Sequence, residues 1–239
     1  MGRIKRYRTA LSRHHRSRGF GIHSPFAFNF VRYVLREKNP YYSYELLEAL
    51  RQAVIDDLRG GKRHKRVISF KDLKMLFRIA NHFNPSCMLQ VGTCYGLTAV
   101  SLLSVSSASR LWIYEPEMDA FPVVGKVLMP YLDRVDCYDD LSVATGDYSR
   151  ALGADGIPFM VINSMPVAGE VDVLRQYLDE LLKGDCVIVM RDLNNNGELK
   201  RLWRYAKDSM THGQSFSNEK ISVLVVNRRL NLEHFFLWF

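Results

Sequence analysis

The residues of this chain best suited to chemistry follow a short apolar run. Met88-Leu89-Gln90-Val91 leads directly into Gly92-Thr93-Cys94-Tyr95-Gly96. Glycines at such a point let the backbone turn sharply and let a ligand come close, and the helix start behind them offers free N–H groups. A dinucleotide-binding turn asks for G-x-G-x-x-G. Here the pattern is G-x-x-x-G with no third glycine, which serves a diphosphate poorly. Glu115 stands 19 residues after Gly96, at the end of a second apolar run. That is the spacing at which an acid accepts hydrogen bonds from a ribose diol. Gly146-Asp147 offers a further carboxylate for an adenine amine, with a plain turn and helix cap as the alternative. Asn163 and Arg191-Asp192 close two later apolar runs. His23 stands before Ser24-Pro25, where a capping or core role suits its ring.

Ligands of open α/β sheets bind outside the carboxyl ends of the strands, so each of these residues needs a strand before it. Apolar runs predict strands at Cys87–Val91, 111–114, 142–145, Phe159–Ile162 and 186–190. Helical periodicity predicts helices at Leu97–Leu103, about 118–131 with Pro122 and Pro130 near its ends, 171–182 and 196–210. Ile221–Val226 and residues 234–239 read as an antiparallel pair. The whole predicts an α/β fold: a mostly parallel, seven-stranded sheet with one antiparallel strand and helices on both faces.

Residues 1–68 read as a basic helical extension or lid, and 69–239 as the α/β domain. The extension holds an arginine-rich helix over 4–18, a helix opened by Ser24-Pro25 and running to about Arg36, and a third over 43–58 that stops at Gly60-Gly61. Residues 62–66 read as an exposed loop. Ser69-Phe70-Lys71-Asp72 resembles a capping box that opens a helix to about His82.

Composition narrows the classes of function. With 47% apolar and 24% charged residues, the 239-residue chain is ordinary for a globular domain. No run approaches the roughly 18 apolar residues of a membrane span, and the basic N-terminus has no apolar region behind it. Cys87, Cys94, Cys137 and Cys186 form no C-x-x-C pair, which points to a reducing, cytoplasmic setting. Residues 1–80 carry 19 Lys/Arg against 6 Asp/Glu, and the rest 14 against 19. This asymmetry allows a nucleic-acid surface, but a solvated helical arm on an acidic core is the simpler reading. The oligomeric state stays open.

Leu89-Gln90-Val91-Gly92-Thr93-Cys94-Tyr95-Gly96-Leu97-Thr98 resembles the first motif of class I S-adenosylmethionine-dependent methyltransferases, especially the small-molecule O-methyltransferase branch. Glu115, Gly146-Asp147, Val161-Ile162-Asn163 and Val189-Met190-Arg191-Asp192 fall where that family's later motifs would. Gly21-Ile22-His23-Ser24-Pro25-Phe26 and Glu233-His234-Phe235-Phe236 are similar to a bacterial branch of the kind found in Bacteroidetes. The resemblance implies a Rossmann-like methyltransferase fold, S-adenosylmethionine as cofactor and a small-molecule acceptor. Gln90, Gly92, Thr93, Tyr95, Gly96, Glu115, Gly146 and Asp147 would bind the cofactor; His23, Asp192 and Asn163 are the catalytic candidates.

The chain also departs from that family. An acid is usual where Gln90 stands, and a small residue where Cys94 stands. Metal-dependent members place aspartates where this chain has Asn163 and Arg191. A hard divalent cation wants charged oxygen ligands, so no metal is expected. Two readings follow: a metal-independent methyltransferase, or a degenerate member that keeps the fold as a binding or scaffold protein.

Overall fold

The computed structural model describes residues 21–59, 67–117 and 122–239. The helix expected over 4–18, the Gly60-Gly61 stop and the 62–66 loop lie outside them. The chain first forms α1 (Pro25–Phe30), prolonged by a π-helical turn Val31–Leu35, then α2 (Ser43–Asp57) and α3 (Phe70–Phe83). Ser24 caps α1 by accepting the Ala27 N–H, and Ser69 caps α3 by accepting the Asp72 N–H at 3.1 Å. Asn84 closes α3 in the left-handed conformation.

Strands and helices then alternate: β1 (Cys87–Val91), α4 (Leu97–Leu103), β2 (Arg110–Tyr114), α5 (Pro122–Leu128), β3 (Val135–Tyr138) and α6 (Leu141–Leu152). They continue with β4 (Phe159–Ile162), α7 (Val171–Leu181), β5 (Cys186–Arg191) and α8 (Gly197–Ser209). The chain ends in β6 (Gln214–Ser217), β7 (Ile221–Val226) and β8 (Glu233–Phe236).

The sheet has eight strands in the order β3-β2-β1-β4-β5-β7-β6-β8, and β7 alone runs against the rest. Strand side chains alternate between two cores. Met88, Leu111, Phe159 and Val187 join the layer of α1 to α5, while Leu89, Trp112, Met160 and Ile188 join that of α6 to α8. Burial on both faces explains why β1, β2, β4 and β5 were visible as apolar runs.

Two expectations are corrected. Residues 142–145 are not the third strand. Asp140 accepts the Val143 N–H at 2.9 Å and starts α6, whose Leu141, Ala144, Thr145 and Tyr148 recur at helical spacing on the buried side. The third strand is β3, a sheet edge with a partly exposed face. The C-terminal strands also do not pair with each other. β6, Gln-Ser-Phe-Ser, lies between β7 and β8, antiparallel to the first and parallel to the second. Its four residues are buried, and side chains take most of its polar groups: Gln214 Nε2 donates to Glu233, Ser215 bonds His234 and Ser217 bonds Ser222. Gln214 Oε1 has no hydrogen-bond partner among the described residues.

Tyr148 locks α6 to the sheet, its hydroxyl accepting the Phe159 N–H at 2.8 Å. Burial pushes its phenol, and that of Tyr114, well above the ordinary tyrosine range. A raised folded-state pKa leaves stability intact below about pH 10 and removes it as pH rises past that unfolded value. Chemical denaturation should therefore show the unfolding midpoint falling above pH 10, and falling less steeply in Tyr148→Phe.

Candidate active site

The strand order reverses between β1 and β4, where an open α/β sheet leaves a crevice at its carboxyl edge. The turn after β1 is built for close approach. Gly92 adopts φ +82°, and a Cβ there would fall on the side chain of Ser164. Cys94, Tyr95 and Gly96 also have positive φ, so the chain coils tightly before α4. At Gly96 a Cβ would meet Val127 Cγ1 at 2.9 Å.

Glu115 is pinned to this turn. Its Oε2 accepts the Thr93 N–H and the Thr93 hydroxyl, both at 3.0 Å, while the Glu115 N–H continues the sheet to the Tyr138 carbonyl. Gln90 Nε2 and Asn163 Nδ2 both donate to the Gly92 carbonyl, at 2.9 and 2.7 Å. Asn163 also donates to Thr98 Oγ1, and its Oδ1 accepts from Arg191 Nη1 at 2.9 Å. Arg191 Nη1 donates in addition to Cys94 Sγ at 3.4 Å. The register of β4 on β5 puts Ile162 beside Met190, so Asn163 and Arg191 emerge side by side.

Three hollows meet here. One of about 180 Å³ is lined by Gly92, Thr93, Cys94, Tyr95, Glu115 and the Asn163-Ser164 pair. Another of about 210 Å³ runs from Gly92 and Glu115 along Pro116-Glu117 to Met165-Val167. A cleft of about 800 Å³ opens beyond Asn163 and Ser164 toward Arg191, Asp192 and the start of α3. Ser164 borders all three, and the sequence reading missed it. Its position directly after Asn163 at a strand end was the available signal.

The structure thus brings Gly92, Thr93, Tyr95, Glu115 and Asn163 around one groove. Gln90 supports the turn from within the sheet, fully buried. Asp192 has φ +59°, lines the large cleft and accepts from Asn195 Nδ2 at 2.6 Å. Gly146-Asp147 sits inside α6 rather than behind a strand. There Asp147 accepts from Tyr138 at 2.9 Å and pairs with Arg150, and Tyr138 followed by Arg150 hold its carboxyl below the usual range.

His23 is exposed ahead of α1, whose Phe26 and Phe30 pack on His82 at the last turn of α3. Neighbouring Phe83 packs on Phe159, the first residue of β4. That is the amino end of the sheet, opposite the groove. His23 and the glycine turn are therefore not brought together.

The residues at the two metal-ligand positions do not suit a hard cation. Asn163 Oδ1 is taken by a guanidinium N–H, and the other position is that guanidinium. A bound adenosine fits better. Glu115 keeps Oε1 without a hydrogen-bond partner among the described residues and faces two of the hollows, beside a glycine that admits close approach.

No family model matches the chain, and no curated protein matches it in sequence. Solved structures do resemble it. An O-methyltransferase from Bacillus cereus in complex with SAH is 15% identical, with a TM-score of 0.53 over 82% of this chain and 96% of that one. A methyltransferase from Geobacter sulfurreducens is 15% identical, with a TM-score of 0.55 over 85% and 96%. The O-methyltransferase TomG from Streptomyces achromogenes, in complex with SAM, is 12% identical, with a TM-score of 0.51 over 79% and 91%. With its 3-2-1-4-5-7-6 strand order and glycine turn after β1, this chain has the Rossmann-like fold of the S-adenosylmethionine-dependent methyltransferases.

Proposed function

We propose that this chain is an S-adenosylmethionine-dependent methyltransferase acting on a small-molecule acceptor without a metal ion. The observation that carries the reading is Glu115, fixed by two bonds from Thr93 at the mouth of the Gly92 turn with one carboxylate oxygen still to be used. Gly92, Thr93, Tyr95, Gly96 and Glu115 would hold the cofactor. Ser164 and Asn163 would form the threshold to the acceptor. The bound cofactor supplies a methyl group already activated by a sulfonium, so the protein's share is positioning and exclusion of water. Tyr114 assists by clamping the far wall: its hydroxyl bonds Glu170, whose other oxygen accepts the Leu141 N–H at 2.7 Å. The contact between Arg191 and Asn163 supports metal independence, since the guanidinium already supplies the positive charge there.

Calorimetric titration tests this reading. S-adenosylmethionine and S-adenosylhomocysteine are expected to bind the wild type, and Glu115→Ala to weaken both by about 1–3 kcal/mol through loss of the ribose partner. If neither ligand gives heat at millimolar concentration, the cofactor assignment fails and the scaffold reading replaces it.

A further inference from the structure

We infer that the acceptor is a small polar carboxylic acid, held by Arg191 in the large cleft and methylated on its carboxylate. This rests on the methyltransferase reading above and goes further than it. Arg191 is only 8% exposed, yet no carboxylate lies within ion-pair distance of it among the described residues. Its Nη1 is occupied by Asn163 and Cys94, and its buried Nε has no hydrogen-bond partner among the described residues. A buried cation without a counter-charge is costly, and an anion placed against it removes that cost. Arg191 and Lys220 line the cleft together, and Asn163 and Ser164 connect it to the cofactor groove.

The rest of the cleft describes the remainder of the molecule. Its described lining has no aromatic side chain, only Val67 and Ile68 are apolar, and Asn194, Asn195 and Asn196 form one side. A flat aromatic acceptor finds nothing to stack on. Asp72 and Asp192 add acceptors for hydroxyl or ammonium groups carried beside the carboxylate.

The chemistry agrees with the lining. Among the described residues lining this cleft there is no histidine or cysteine, and its carboxylates, Asp72 and Asp192, are weak bases toward an alcohol. An alcohol would need a base or a metal to take its proton. A carboxylate, with an ordinary pKa near 4, arrives ionised at neutral pH. Its oxygen forms a bond to the sulfonium methyl as the C–S bond breaks with its electron pair passing to sulfur. A methyl ester and a neutral thioether result, and no proton is released.

The test titrates malate, gluconate, inorganic phosphate and sorbitol into protein saturated with S-adenosylhomocysteine. The two carboxylates should bind, with sorbitol and phosphate at least tenfold weaker. Arg191→Gln should weaken the carboxylates tenfold or more, Arg191→Lys should recover part of that, and Lys220→Gln should cost about threefold. S-adenosylhomocysteine affinity should change less than threefold in Lys220→Gln, and in the Arg191 variants it should fall less than carboxylate affinity does, which separates the acceptor site from the cofactor site. Lys220 is exposed, so its variant keeps the test open if an Arg191 variant does not fold. With labelled methyl donor, the product label should be base-labile as methanol, with no acid released into unbuffered solution. Equal binding of sorbitol, preference for phosphate, unchanged affinity in Arg191→Gln, or stoichiometric proton release each overturns the inference. Failure to bind S-adenosylhomocysteine at all removes the methyltransferase reading itself, a separate outcome.

Discussion

Phe30→Ala is expected to destabilise the whole protein by about 3–5 kcal/mol, the range for emptying a large aromatic site in a core. Phe30 is fully buried. Its ring centroid lies 4.9 Å from that of Phe216 in β6, 5.8 Å from Phe83 and 5.5 Å from His82 in α3, and 5.7 Å from Phe26. α1 is therefore a wedge between α3 and the C-terminal part of the sheet. Arg78 fixes the next turn, donating from α3 to the carbonyls of Val34 and Leu35 at 2.8 and 3.3 Å. Urea denaturation should show the loss as a single shifted transition with an unchanged slope. A cost under 1 kcal/mol, or a separate early transition, would instead mean that α1 is a detachable part of the extension proposed for residues 1–68.

That wedge was partly visible in the sequence. Ser24-Pro25 marks the start of α1 because a serine cap and a proline in the first turn are local devices, complete within four residues. The density of apolar residues in 26–35 announced burial. What they pack on did not show, since Phe30 and Phe216 are separated by most of the chain. The strands divide in the same way. Those buried on both faces are continuous apolar runs, and β1, β2, β4 and β5 were found within a residue or two. β3 at the edge and β6 with its Gln-Ser-Phe-Ser sequence were not, because β3 exposes part of one face and β6 carries polar residues that bond across to β8 and β7. With β3 at Val135–Tyr138, Asp147 lies inside α6 and not directly behind a strand. In the site, Asn163 and Arg191 each read alone as a lost metal ligand. Only the β4–β5 register shows them as one hydrogen-bonded pair.

Gly92→Ala is the site substitution with the largest expected effect, because two costs fall on one atom. The residue sits at φ +82°, where a side chain costs about 1–3 kcal/mol. The added methyl would also overlap Ser164, with Ser164 Cβ at 3.2 Å and its backbone nitrogen at 3.3 Å from the new carbon. Overpacking of this kind costs about 1–3 kcal/mol more. Ser164 borders every hollow of the site, so relief by moving it would push its side chain into the groove or the cleft. The expectation is a loss of about 2–6 kcal/mol in stability, with S-adenosylhomocysteine binding weakened at least tenfold beyond what unfolding explains. Ser164→Gly in the same chain separates the terms. It removes the overlap with the side chain but leaves the backbone nitrogen at 3.3 Å and the backbone strain, so up to roughly half of the stability should return. Full recovery would mean that the left-handed conformation is not needed at the turn. No recovery would mean that the turn depends on that conformation alone and that Ser164 yields freely.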